Sequence, residues 1–182
     1  MTSSYANQIQ NRNFLSPAGF KFSIAKTPKV DFFCTTAKIP EITMETVIEP
    51  FYLKNLDVPG EKIAYGDLTL NFLVDENMEN YMAIHNWITQ LGYSETTEDF
   101  KDLVTTDDGT RDMMNQYSDA ALHILNSNFR TQSILKFKDV FPYSLTSLDF
   151  DSTVTDIQYF TAQASFKYTI YNIVGADGRT EL

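Results

Sequence analysis

Two histidines, one cysteine and 24 acidic residues are the side chains from which a catalytic or metal site would have to be built in this 182-residue sequence. Their spacing builds none. A zinc site needs His, Cys or carboxylate ligands converging at short, regular intervals. His85 falls in a helical pattern and His123 in a strand pattern, and neither has such partners at ligand spacing. Cys34, between Phe33 and Thr35 in a strand pattern, has no nearby histidine to activate it and reads as a small buried residue. The turn Asp107-Asp108-Gly109 lacks the regular oxygen ligands and closing Glu of a calcium loop. The 7 glycines form no phosphate-cradling run. No enzyme, cofactor or metal emerges, and the chemistry of this chain is expected to be that of its surfaces.

Composition bounds those surfaces. Hydrophobic residues make up 43% and aromatics 14%, with 14 Phe and 10 Tyr, which suits one folded, β-rich core. The net charge of −10 argues against a protein that grips nucleic acid, since such affinity comes from Lys and Arg neutralising phosphates. It is compatible with a surface that nucleic acid passes without sticking. A single cysteine makes no internal disulfide. The sequence has no long apolar run and its first residues do not resemble a signal peptide, so no membrane insertion and a soluble, intracellular or cell-assembled protein are expected.

The organising stretch is 63–92. Leu68, Leu70 and Phe72 alternate with Asp67, Thr69 and Asn71, as on a strand with one buried side. Then Tyr81, Ile84, Ile88 and Leu91 recur at helical spacing, predicting a helix over 77–91 with Asp75 or Asn77 as cap and Gly92 closing it. Around it, 1–16 reads as a flexible polar arm, 17–174 as one domain and 175–182 as a loose tail. Strands are expected at 20–25 and 30–36 as a hairpin, at 120–125, 133–138 and 147–151, and as one long alternating strand over 159–171. Residues 94–118 form an acidic insertion in which Phe100, Leu103 and Val104 suit a short amphipathic turn of helix.

The segment 39–61 is unusual. Pro40, Pro50 and Pro59 argue against an unbroken central strand, yet it carries Ile42, Val47, Ile48, Phe51, Tyr52 and Leu53. So many large apolar groups must either fold back on their own core or be covered by something else.

In order, these features resemble the tail-tube proteins of contractile-tailed, T4-like bacteriophages. The residues that carry the resemblance are Pro59-Gly60 before a strand ending in Asp75-Glu76, a helix bearing Trp87, Phe141-Pro142 before Asp151-Ser152, and Ile157-Gln158 before the long alternating stretch. The resemblance implies a mainly β fold with one α-helix, a β-sandwich or partial barrel. Six copies would close into a hexameric β-barrel ring, and stacked rings would make a virion tube for DNA ejection, assembled in the host cytoplasm. It implies adjacent rings and baseplate or sheath proteins as partners, with DNA passing unbound. It leaves the main tube and the initiator ring on the baseplate as alternatives, and the long arm and acidic insertion exceed a minimal tube subunit. A tube from a type VI-like secretion machine and a ligand-binding β-barrel are the competing readings.

Two sets of residues follow from that frame. Ile42, Val47, Ile48, Phe51, Tyr52 and Leu53 are expected to contact neighbouring subunits or rings, where the family has a stacking loop. Asp67, Thr69, Asn71, Asp149, Asp151, Thr161, Gln163, Ser165 and Lys167 are expected to face the lumen. Leu68, Leu70, Phe72, Phe160 and Phe166 are expected to face inward, since each would forfeit about 1.5–3 kcal/mol if exposed. Lys167 is the exception to a cation-poor wall.

Overall fold

The computed structural model describes residues 14–27, 34–92, 97–105, 111–153 and 159–178. The expectations for most of the N-terminal arm, for 30–33, for Asp107-Asp108-Gly109, for Ile157-Gln158 and for the last residues of the tail lie outside them.

Among the described residues nine strands and two α-helices follow in the order β1 (Phe20–Ile24), β2 (Cys34–Ala37), β3 (Ile42–Glu49), β4 (Leu56–Tyr65), β5 (Leu68–Leu73), α1 (Glu79–Leu91), α2 (Thr97–Val104), β6 (Ser118–Leu125), β7 (Thr131–Leu145), β8 (Thr161–Lys167) and β9 (Ile170–Gly175), with a 3-10 turn at Met113–Gln116 before β6. Seven strands form one antiparallel sheet with the path β1-β6-β7-β8-β5-β2, and β9 pairs with β7 beside it. Among the described residues this sheet is not closed into a barrel. β3 and β4 make a separate two-stranded hairpin.

Two long strands turn the sheet into a sandwich. The first half of β7 pairs with β6 and β9, and its last residues, Phe141 to Leu145, pair with β8 alone. The change comes at Asp139, in left-handed backbone at φ 56°, a conformation that Asp tolerates better than most residues. Opposite it the neighbouring strand breaks between β8 and β9, where the Thr169 amide donates to the Lys138 carbonyl at 3.0 Å. The expected single strand over 159–171 is therefore bent into β8 and β9, because both strands must cross from one layer to the other. The first layer is β1-β6-β7-β9 and the second is the end of β7 with β8, β5 and β2.

The core lies between these layers and under α1. Leu68, Leu70, Phe72, Ala162, Ala164 and Phe166 are buried on β5 and β8, against Phe22, Leu122, Leu135 and Phe137 of the other layer. Ile84 and Trp87 of α1 close it, with Trp87 6.5 Å from the Phe166 ring and its indole N–H donating to the Gln116 carbonyl at 3.1 Å. α2 is the amphipathic turn around Phe100, Leu103 and Val104, all three buried.

Several expectations are corrected. The expected 20–25/30–36 hairpin does not form, since β1 pairs with β6 and β2 with β5. Neither Asp75 nor Asn77 caps α1: Met78 occupies the cap in left-handed backbone with no side-chain bond. Buried Asn80 does that work by accepting from the Asp75 and Tyr81 amides and donating to the Leu73 carbonyl at 2.7 Å. Residues 147–151 are not a strand. Phe160 is 37% exposed and its ring packs at a tilt against that of Phe150, with centroids 4.7 Å apart. Cys34 is half-buried.

Candidate functional site

Two surfaces of opposite character stand out, and strand geometry explains both. On β5 and β8 one side is committed to the core, so the alternate residues must face away from it. Thr69 lies opposite Ser165 and Asn71 opposite Gln163, which places these four on one polar face. Thr161 and Lys167 continue it along β8. The register adds Thr36 of β2, opposite Asn71, and Ser144 of β7, opposite Ser165. The result is a four-strand-wide wall of hydroxyls and amides over an apolar core.

Asp67 sits just before β5 at the edge of this wall. Its carboxylate receives the Lys167 ammonium and the Tyr143 hydroxyl, the latter at 2.6 Å. The Lys167 ammonium also lies 5.2 Å from the centroid of the Tyr143 ring, at cation–π distance. The bond from Lys167, then that from Tyr143, holds the Asp67 carboxyl below the usual carboxylate range, and the same contacts push Lys167 and Tyr143 up. The charge of Lys167 is thus neutralised locally. Asp149 and Asp151, by contrast, lie on the exposed connection after β7 and not on a strand. Asp151 accepts from the Thr153 hydroxyl and amide at 2.7 and 2.8 Å, which lowers its pKa and ties it to its own turn.

The second surface is the hairpin. Every residue of β3 is exposed, and so is nearly all of β4. The prolines do not prevent pairing: Pro59 lies opposite Thr46 beside a register shift, on a ribbon whose outer edges are open and need no donor. A Cβ at Gly60 would run into the Glu45 carbonyl, so glycine is required where the strands pinch together. Ile42, Val47 and Ile48 are exposed, and the tip residues Phe51, Tyr52 and Leu53 are 68%, 97% and 89% exposed. The hairpin does not fold back over its own core. At its root Tyr168 donates to the Gly66 carbonyl at 2.9 Å and Tyr171 to the Pro40 carbonyl at 3.3 Å, and the Tyr65 ring lies 5.6 Å from that of Tyr171. Burial, then the neighbouring Tyr171, Tyr65 and Asp67, pushes Tyr168 up to about 12.

Neither histidine approaches a metal site. His85 is exposed on α1, and half-buried His123 is held below its ordinary pKa by desolvation and then by Lys21 across the strands. Among the described residues no group of His, Cys, Asp or Glu is placed to hold a metal ion. No described helix is long and apolar enough to cross a membrane.

A polar sheet face joined to a projecting apolar hairpin is the anatomy of an assembly subunit, and comparison identifies which kind. The family profile for phage tail tube proteins matches residues 1–174. The chain belongs to the phage tail tube protein family. As a tail tube protein it is a structural protein and not an enzyme. Its fold is similar to that of a chain in the anti-feeding prophage cap, a tube-terminating cap, at TM-score 0.64 and 16% identity over 96% of this chain and 99% of that one. It is also similar to chains in two structures of an extracellular contractile injection system, PVC. These are the sheath/tube terminator, at TM-score 0.59 and 14% identity over 90% and 99%, and the sheath-tube complex, at 0.57 and 14% over 96% and 99%. No curated protein sequence matches the chain.

Sequence reasoning missed Tyr143, Thr36 and Ser144 on the polar wall. The expected β7 pattern stopped before Pro142, whereas the strand continues through it to Leu145. The signal that would have found Tyr143 and Ser144 is Phe141-Pro142-Tyr143-Ser144 read as edge strand, where a proline is tolerated, whereas Thr36 joins the wall only through the pairing of β2 with β5.

Proposed function

We propose that this tail tube protein forms hexameric rings of the tube of a contractile particle, with the β2-β5-β8-β7 layer facing a central channel through which DNA leaves. The observation that carries the reading is the polar wall with its two uncovered flanks. Among the described residues β2 ends the layer on one side, and on the other the Phe141–Leu145 end of β7 has no strand partner beyond β8. Such edges invite pairing with another chain, and a ring of like subunits satisfies all of them at once. The lumen would then be lined by Thr69, Asn71, Thr161, Gln163, Ser165 and the neutralised Lys167. Phosphates passing it meet few unpaired cations, so DNA has little to adhere to.

The similar folds found in a tube-terminating cap and in sheath-tube complexes favour a contractile particle, with adjacent rings and sheath or baseplate proteins as partners. The hairpin residues Ile42, Val47, Ile48, Phe51, Tyr52 and Leu53 would supply contacts between subunits or rings. Negative-stain microscopy of the purified protein should show rings or tubes with a central hole. A strictly monomeric particle, alone and with its partner proteins, contradicts the proposal. Copy number per particle separates a main-tube subunit, present in many rings, from an initiator present in one.

A further inference from the structure

The described residues contain an apolar cleft of about 580 Å³ at the end of β5, lined by Leu73, Val74, Met78, Leu148, Phe150 and Phe160. Asp75 and Glu76 border it. Its wall explains the alternating Leu148 and Phe150 that do not form a strand: they turn toward this cleft. Phe150 meets the Phe160 ring on one side and is 74% exposed even so among the described residues. The hairpin tip is the complementary feature. It offers Phe51, Tyr52 and Leu53 in succession, followed by exposed Lys54.

Topology keeps the two apart within one copy. β4 leads directly into Leu68 at the start of β5, while the cleft lies at the other end of that strand, beyond Leu73. Six strand residues put these ends roughly 20 Å apart. The hairpin itself, with ten residues in β4, carries its tip roughly 30 Å from its root. One copy therefore carries an apolar knob with a cation at one end of the wall and an apolar cleft with two carboxylates at the other. Such a pair joins copies head to tail, the kind of contact that makes rings if it closes and stacks if it does not.

We propose that the hairpin tip of one copy seats in this cleft of a second copy, with Phe51, Tyr52 and Leu53 against Val74, Leu148 and Phe150, and Lys54 against Asp75 and Glu76. This deepens the tube-ring reading and rests on it. Of the groups altered below, Leu53, Lys54, Glu76 and Phe150 are exposed and Asp75 is half-buried at the rim, so variants there leave the core intact.

The test combines a cross-link with a charge swap. In a Cys34→Ser background, subunits carrying Leu53→Cys are co-assembled with subunits carrying Phe150→Cys and oxidised. A disulfide-linked dimer is expected from assembled particles and not from dispersed subunits. Lys54→Glu alone, or Asp75→Lys with Glu76→Lys alone, is expected to raise the protein concentration needed for assembly by roughly two- to fivefold, and the three together to restore it. Rings that form without the cross-link, and with no response to the charge changes, overturn the docking proposal and leave the tube reading standing. A cross-link from Leu53→Cys to a different protein of the particle overturns it in favour of that occupant. Absence of rings from the unmodified protein overturns the tube reading and this proposal with it.

Discussion

The Lys167 ammonium is paired with the Asp67 carboxylate across 100 residues of sequence, and Tyr143 closes the same group from β7. The pair turns the one cation expected on the polar wall into a locally neutral feature. Asp67→Asn should leave the subunit folded and free that charge. Assembled particles of the variant should then retain DNA fragments at low salt and release them as salt rises, unlike the unmodified protein. A DNA retention assay across ionic strength reads this, and equal retention by both would contradict it.

The same pair gives a pH dependence. Asp67 holds its proton more weakly folded than unfolded, so its stabilising contribution is present above the ordinary carboxylate pKa of about 4 and is lost as pH falls through the lower folded value. In thermal unfolding, the small gap between the unmodified protein and Asp67→Asn should be present at neutral pH and fade in acid below that range. A gap unchanged down to strong acid would separate the pair from stability.

Tyr168 behaves in the opposite sense. Its folded pKa is raised to about 12, so its contribution is intact below the ordinary tyrosine pKa of about 10 and is lost as pH rises from there through the folded value. Tyr168→Phe also loses the bond to the Gly66 carbonyl, at a cost of roughly 0.5–1.5 kcal/mol in urea unfolding near neutral pH. That difference should shrink above about pH 10.

How far the sequence anticipated these residues follows from what each position depends on. β5 and α1 were visible because burial of one side imposes a period on the residues themselves, as with Leu68, Leu70 and Phe72, or Tyr81, Ile84, Ile88 and Leu91, while buried Trp87 lay outside the stripe read from the sequence. The pairing of β1 with β6 was not, because a strand's own alternation says nothing about a partner about a hundred residues away. The bend at Asp139 left no periodic trace, and Lys167 found its partner only once β5 and β8 were adjacent. Leu148 and Phe150 alternate like a strand yet line a cleft. On the hairpin, the apolar residues were legible and so was the need to cover them, whereas the ribbon running through Pro59 was not.

Phe166 is fully buried between Leu68 on the neighbouring strand and Trp87 on α1. Phe166→Ala should cost about 3–5 kcal/mol in urea unfolding, since a large cavity opens where three elements meet. Phe51→Ser with Tyr52→Ser should change subunit stability by less than about 0.5 kcal/mol, because neither side chain is covered within the chain, yet should abolish assembly. A double variant that unfolds instead would mean the tip supports its own core.

A cryo-electron microscopy map of the assembled particle reads the orientation of the wall itself. The expected ring has β2 of one subunit beside Phe141–Leu145 of the next, with Thr69, Asn71, Gln163 and Ser165 facing the central hole and α1 on the outside. A ring with α1 or the β1-β6-β7-β9 layer facing the hole would contradict it.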